Sequence, residues 1–184
     1  VVEQCGRWYL VVTVEIVRHV SVATGSICID FGLKTFAACS DGRTYETQAG
    51  YRKGQRKLRA LQRSLSRKHP GSEGQRKWKL RVGRYQERIA SRRRDYLHKM
   101  TTEIASEYAV VCVEDLSLAG LCRTRMAKSF YDAAVGTAVR MLSYKAEVLQ
   151  QVDRFFPSSR LCRFCGAVND GLTLADREWI CAFG

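Results

Sequence analysis

Two acidic residues, Asp30 and Glu114, each follow a run of apolar residues that is typical of a buried strand. The runs are SICIDFG at 26–32 and YAVVCVEDL at 108–116. An unpaired carboxylate in a protein interior costs about 5 kcal/mol, so a strand-end acid usually caps the next turn, finds a partner or holds a metal ion. For Asp30 taken alone, both the turn cap and the metal ligand stay open.

Two such strands lying side by side would bring both carboxylates to one edge of a sheet. Carboxylate oxygens are hard ligands that suit Mg²⁺ or Mn²⁺. Two such ions about 4 Å apart can clamp the attacking and leaving oxygens of a phosphodiester. Alternation along the second strand turns Asp115 away from Glu114, so we assign Asp115 to a loop or a cap.

A second constellation lies near the end of the chain, where Cys162 and Cys165 form a C-x2-C pair and Cys181 follows after fifteen residues. This spacing predicts three ligands of a zinc ribbon. The fourth ligand would fall at position 184, which is Gly184. Reduced, metal-free cysteines are the alternative. Other cysteines lie in apolar runs, where a free thiol behaves as a small hydrophobe; they are Cys28, Cys39 and Cys112.

The charge of the chain is concentrated in one segment. Of a net +13 over 184 residues, residues 51–99 contribute 18 Lys and Arg against 3 Asp and Glu, and the remainder carries −2. A nucleic-acid track, a membrane surface and a solvated helix face all fit such a segment; we favour nucleic acid, because each neutralised phosphate releases counterions. The candidate contacts to the phosphate backbone are Arg52, Lys53, Arg56, Lys57, Arg92, Arg93 and Arg94.

The elements that must position these residues follow from periodicity and turn signals. No apolar run reaches the roughly 18 residues of a membrane span. The aromatic residues of the basic segment recur at helical spacing, and we interpret them as core rather than as a base-stacking platform. The pattern predicts a strand at 7–17, three strands within 26–48 with a turn at Asp41-Gly42, a helical hairpin at 52–104, a strand at 108–116 and a helix at 130–151.

Four stretches, in order, resemble motifs of the TnpB (OrfB) family of transposon-encoded, RNA-guided nucleases: GSICIDFGLKTFAACSDG, VVCVEDLSLAGL, DRFFPSSRLCRFCG and LTLADREWICAFG. The resemblance implies an α/β, RNase H-like (RuvC) mixed sheet flanked by helices, with a basic helical hairpin and a partial zinc ribbon. It implies that Asp30 and Glu114 are catalytic acids that bind Mg²⁺ or Mn²⁺, and that Zn²⁺ occupies the ribbon. The implied partners are guide RNA and target DNA in the cytoplasm at the nucleoid, with no membrane and no small-molecule substrate.

The resemblance also implies a division of the chain into three parts. Residues 1–24 would be the last strand or strands of a truncated wedge region, 25–157 the RuvC-like domain with its hairpin at 52–104, and 158–184 the partial ribbon. The expected function is the nucleic-acid-binding RuvC-like portion of an RNA-guided DNA endonuclease. A non-catalytic nucleic-acid-binding module and an inactive fold fragment are the two alternatives.

Family members carry a further segment like HDRDxNAA, with a third catalytic Asp, after the ribbon, and the 184 residues stop before such a segment. We therefore expect no detectable DNA cleavage by this chain with guide RNA and Mg²⁺ or Mn²⁺, because the loss of one metal-binding acid lowers the rate at least ~10³-fold. A cleavage time course beside a chain extended through that segment tests this. Comparable cutting by the 184-residue chain, abolished by Asp30→Ala, would contradict it.

Overall fold

The computed structural model describes residues 1–15, 23–32, 35–46, 50–115, 134–153, 155–173, 176 and 178–182, with side chains of the first helix described from residue 54 onward. These residues form a small two-stranded sheet, a five-stranded mixed sheet and three helices. No described helix is both long enough and apolar enough to pass through a membrane.

The chain begins with a tight hairpin of β1 (Val2–Gln4) and β2 (Arg7–Tyr9). Its two turn residues, Cys5 and Gly6, have φ of +52° and +71°, as a primed two-residue turn requires. The single strand predicted at 7–17 is therefore wrong: it ends at Tyr9, residues 10–15 are irregular, and 16–17 lie outside the described residues. A β-rich run becomes a strand only where a partner pairs with it, and residues 10–15 pair with no described segment.

The three strands predicted within 26–48 are present. β3 (Ser26–Phe31) pairs antiparallel with β4 (Thr35–Cys39), which pairs antiparallel with β5 (Thr44–Glu46). Gly42, at φ +90°, makes the β4–β5 turn at the predicted Asp-Gly. β6 (Val110–Glu114) then joins the other edge of β3 in parallel, as a fourth strand.

The basic segment forms the predicted helical hairpin. Its helices are α1 (Gly50–Ser66) and α2 (Glu73–Glu107), and Ser72 caps the second by accepting a hydrogen bond from the Gln75 N–H. The two halves of α2 have different surroundings. Its second half supplies Leu97, Met100 and Ile104 to the core, whereas its first half packs on α1.

The helix predicted at 130–151 is wrong in its second half. The described helix α3 (Val135–Lys145) ends where Ala146 turns extended, and β7 (Val148–Val152) follows as a strand parallel to β6. Residues 130–133 lie outside the described part. Pairing with β6 over five register positions satisfies backbone groups of both strands, and this long-range gain outweighs local helical periodicity. The five-stranded order is β5-β4-β3-β6-β7.

One face of this sheet forms the core and the other is open. Strand residues Ile27, Ile29, Phe31, Val111 and Val113 are buried with residues of α2 and α3. The Lys145 ammonium at the end of α3 joins these helices by donating to the His98 carbonyl and to the hydroxyls of Thr101 and Thr102. The alternate residues of β3 and β6 therefore point away from the core.

The turn between β4 and β5 is tied to the end of α2 by ion pairs. The Arg43 guanidinium lies 2.6 Å from Asp41, 3.3 Å from Glu103 and 2.7 Å from Glu107. Hydrogen bonds from Arg43, led by its backbone N–H, lower the pKa of Asp41 below its ordinary value. These contacts hold the hairpin of β4 and β5 against the helix that covers the core face.

We expect Val111→Ala to lower the free energy of unfolding by about 2 kcal/mol more than Val148→Ala. Both valines lie in paired strands, but Val111 is 0% exposed in the core and Val148 is 46% exposed at the sheet edge. Both substitutions remove the same two methyl groups, so the difference between the two losses of stability measures the cost of burying a cavity in the core. Urea unfolding of both variants measures it, and equal destabilisation would contradict the assigned core face.

Candidate metal centre and nucleic-acid interface

The structure places Asp30 and Glu114 side by side on adjacent parallel strands. Ile29 of β3 is in register with Val113 of β6, so the next residue of each strand is one of the two acids. Both acids are exposed and lie on the face opposite the core. The parallel pair brings together two carboxylates that are 84 positions apart in the chain.

Both carboxylates line one cavity of about 480 Å³ on the open face of the sheet, which we call the carboxylate cavity. Its walls come from β3, β4, β6, the end of β7 and the segment that follows β7. The lining residues are Cys28, Ile29, Asp30, Ala38, Cys39, Ser40, Cys112, Val113, Glu114, Val152, Asp153, Phe156 and Ser158.

Sequence reasoning missed a third acid in this cavity, Asp153. It directly follows β7, the strand beside β6, and one of its carboxylate oxygens accepts the Phe155 N–H at 2.8 Å. Because residues 130–151 are predicted to form a helix, the sequence pattern gives no strand that ends at Asp153. A strand assignment there would have revealed that a third strand ends in an acid at the same edge. Asp115 lies just beyond the end of β6, as the assignment to a loop or cap predicts, and its backbone N–H donates to the Val152 carbonyl at 2.8 Å.

The basic hairpin and the N-terminal hairpin enclose a second cavity of about 490 Å³, which we call the basic cleft. Six cationic side chains line it, with Glu87 as the single carboxylate among the lining residues. The Tyr9 hydroxyl donates to Glu87 at 2.6 Å, and the Arg84 guanidinium donates to the Cys5 carbonyl, so β1 and β2 are held against α2. The cations are Arg7, Lys57, Arg81, Arg84, Arg88 and Arg92.

The candidate backbone-binding residues do not form one surface. Lys57 and Arg92 line the basic cleft, whereas Arg93 and Arg94 line another cavity, of about 460 Å³, between α2 and α3. Successive helical residues point about 100° apart, so three consecutive arginines spread over two faces. Arg56 is exposed on α1 outside the lining of the basic cleft. Arg52 and Lys53 lie in α1, and their side chains are outside the described part.

The structure brings together the three cysteines whose spacing predicts a ribbon, a set we call the cysteine cluster. The sulfur atoms of Cys162, Cys165 and Cys181 lie within 4.8 Å of one another, with Cys165 and Cys181 only 3.4 Å apart. Among the described residues, no other three His, Cys, Asp or Glu side chains are close enough to share an ion in this way. Thiolate sulfur is a strong ligand for soft metals, so this cluster could hold a metal ion.

A tight backbone turn between Cys162 and Ala167 positions the cysteine cluster. The Cys162 N–H donates to the Ala167 carbonyl at 2.8 Å, and the Gly166 N–H donates to the Cys162 carbonyl at 2.9 Å. Gly166 has a φ of +74°, which favours glycine. Hydrogen bonds from the backbone N–H groups of Cys165 and Phe164 lower the pKa of the Cys162 thiol to about 7, which favours the metal-binding thiolate. Gly184 lies outside the described residues.

Comparison with known proteins identifies the family. The chain matches the OrfB_IS605 family, described as "Probable transposase", over residues 9–125, and it belongs to this family. It is 34% identical over 188 residues to a "Putative RNA-guided DNA endonuclease" of Streptomyces pristinaespiralis, covering 99% of this chain and 47% of that protein. It is 28% identical to the "Putative RNA-guided DNA endonuclease InsQ" of Escherichia coli K12, covering 97% of this chain and 50% of the relative. The chain thus spans about half the length of these curated relatives.

A solved structure supports the fold. A chain in the cryo-EM structure of a Cas12f1–sgRNA–target DNA complex superposes with a TM-score of 0.52 at 16% sequence identity. The match covers 91% of this chain and 38% of that chain. At this identity the likeness concerns the arrangement of strands and helices alone.

Proposed function

We propose that this chain is the RuvC-like, nucleic-acid-binding portion of an RNA-guided DNA endonuclease, with Asp30 and Glu114 as its metal-binding catalytic acids. The observation that carries this proposal is the placement of both acids at one register position on adjacent parallel strands. The strand order also supports an RNase H-like sheet, because β3, β4 and β5 form an antiparallel meander and β6 and β7 continue it in parallel. The names of the curated relatives agree with this function.

The donor set of the carboxylate cavity fits a hard divalent cation. Asp30 and Glu114 offer carboxylate oxygens on an exposed face, and Asp153 adds another carboxylate to the same lining. Hard oxygen donors with room for water are the environment that Mg²⁺ and Mn²⁺ prefer. When bound there, such an ion would supply charge stabilisation to a phosphodiester undergoing hydrolysis.

The side chains of the chain itself have two tasks in this proposal. Asp30 and Glu114 orient the ion from rigid strands, since both strands are paired on both sides and packed by the core on one face. The cations of the basic cleft bind backbone phosphates and position the nucleic acid without reading its sequence. Guide RNA and target DNA are the proposed partners. We therefore propose that the chain acts in the cytoplasm, at the nucleoid.

Mn²⁺ binding tests the metal centre directly. We expect Asp30→Asn and Glu114→Gln each to weaken Mn²⁺ binding at least about tenfold, because each removes a charged ligand. Asp95→Asn is the matched control, since Asp95 pairs with Lys99 on α2, away from the cavity. Titration followed by the electron paramagnetic resonance of free Mn²⁺ gives the affinities. Equal affinity in all four proteins would contradict the proposed centre.

The cysteine cluster is the proposed zinc site, in which Cys162, Cys165 and Cys181 supply three thiolate ligands. We expect the wild-type chain to keep one Zn²⁺ through dialysis against a weak chelator. Cys165→Ser should lose that ion, because two thiolates hold zinc less tightly than three. Cys5→Ser is the control, since Cys5 lies in the N-terminal hairpin. Atomic emission measures the zinc content of each variant. Zinc retained by Cys165→Ser would show that the cysteine cluster is not the zinc site.

Nucleic-acid binding should depend steeply on salt. Replacing Arg92, Arg93 and Arg94 together with Gln should weaken binding to all sequences alike and reduce the salt slope. Because these residues divide between two cavities, Arg92→Gln alone tests the basic cleft, and we expect it to lower the slope by about 1. Arg76→Gln is the control, since Arg76 already pairs with Glu73 at 2.7 Å.

Fluorescence anisotropy with single-stranded RNA and DNA at several salt concentrations measures these slopes. An equal effect of Arg92→Gln and Arg76→Gln would show that the cleft is not the binding surface. A strong dependence of the Arg92→Gln effect on base sequence would show that this residue reads bases rather than phosphates.

A further inference from the structure

Two cysteines lie directly beside each other in the carboxylate cavity. Cys28 of β3 and Cys112 of β6 are register partners in the parallel pair. Both alternate with core residues, so both point to the open face, and both line the cavity together with Asp30 and Glu114. Neither is in a disulfide. Their apolar sequence context predicts that these thiols act as small hydrophobes, but on this face they do not contribute to the core.

The spacing of the strands decides what such a pair can do. Neighbouring strands lie about 4.8 Å apart, and in-register side chains of a parallel pair leave the sheet side by side. A disulfide needs Cβ atoms about 3.8 Å apart, so it would pull the strands together by about 1 Å. Two sulfur atoms bound to one ion at about 2.3 Å, at a tetrahedral angle, lie about 4 Å apart. These sulfur atoms are about twice as far apart as the roughly 2.05 Å of a disulfide bond, so their Cβ atoms can keep the strand spacing, and a shared metal ion fits it better than a disulfide.

We propose that Cys28 and Cys112 form a two-thiol site for a soft, thiophilic divalent metal ion within the carboxylate cavity. Each thiol loses its proton to solvent as its sulfur binds the ion, and no electrons are transferred. Two positions of a four-coordinate ion then stay open to water. The nearest acids on this face, Asp30 and Glu114, lie two residues further along the same strands, about 7 Å by strand rise.

This site differs from the cysteine cluster in strength and position. It has two thiolates rather than three, so it should release its ion to a weak chelator while the cluster keeps one. It also shares a cavity with the proposed hard-metal centre. The positive charge of a soft ion at the two thiols would therefore weaken Mn²⁺ binding at the carboxylates about 7 Å away, and this part of the inference rests on the proposed function.

Cadmium ion is the probe, because it is soft and its thiolate bonds absorb in the ultraviolet. Native mass spectrometry of the reduced, metal-free full chain with excess Cd²⁺ should show two ions per wild-type chain. Cys28→Ser and Cys112→Ser should each bind one, with a matching loss of ultraviolet absorbance. Cys5→Ser should still bind two. One ion in the wild type, or two in both Cys28→Ser and Cys112→Ser, would overturn the two-thiol site.

A second measurement covers the case in which a variant does not fold. Phenylarsine oxide joins two neighbouring thiols through two As–S bonds, and its oxygen leaves as water with both thiol protons. Treatment of the wild-type chain with its cysteine cluster loaded with zinc, followed by proteolysis and mass spectrometry, should give one arsenic bridge between the peptides that contain Cys28 and Cys112. If the other accessible thiols react fully and that bridge is absent, the proposed pairing of Cys28 with Cys112 is overturned.

Competition with Mn²⁺ separates this inference from the proposed function. Cd²⁺ should weaken Mn²⁺ binding in the wild type and leave it unchanged in Cys28→Ser. Unchanged Mn²⁺ affinity in the wild type would overturn the proposed coupling between the two sites. No Mn²⁺ binding in any variant, together with the expected cadmium stoichiometry, would overturn the proposed metal centre and leave the two-thiol site standing.

Discussion

The parallel pairing of β3 with β6 is the constraint on which the rest of this structure depends. Its register aligns Ile29 with Val113, and the period of two along each strand then determines both faces. Aliphatic residues fall on the side that α2 and α3 cover. The acids Asp30 and Glu114 fall together on the other side. A slip of one residue in either strand would bury a carboxylate and expose an aliphatic residue, so hydrophobic burial enforces the side-by-side placement of the two acids.

The long helix α2 connects this centre to the charged part of the molecule. It has 35 residues and therefore spans about 52 Å. Its C-terminal half packs Leu97, Met100 and Ile104 against the sheet, whereas its N-terminal half carries Arg81, Arg84 and Arg88 to the basic cleft. One rigid element thus fixes the distance between the basic cleft and the carboxylate cavity. A nucleic acid held in the cleft would meet the acids at a defined separation along its backbone.

The candidate metal ligands of the chain are of two chemical types, and the two types lie in different places. Hard carboxylate oxygens converge on the open face of the sheet, and soft sulfur atoms converge in the cysteine cluster. The pair of Cys28 and Cys112 breaks this division, because it places soft donors beside hard ones in a single cavity. At the proposed sites, softness as well as size would decide which donors an ion takes.

Local patterns in the sequence were sufficient for much of this architecture. The apolar run before Asp30, the Asp41-Gly42 turn and the helical period of the basic segment predicted β3, β4, β5, α1 and α2. The C-x2-C spacing predicted the cysteine cluster, because its ligands are close in the chain and need only one tight turn. Strand β7 and the place of Asp153 were decided by tertiary structure. Both depend on the pairing of β7 with β6, which is distant in sequence, and a strand at a sheet edge has no local signal strong enough to reveal that partner.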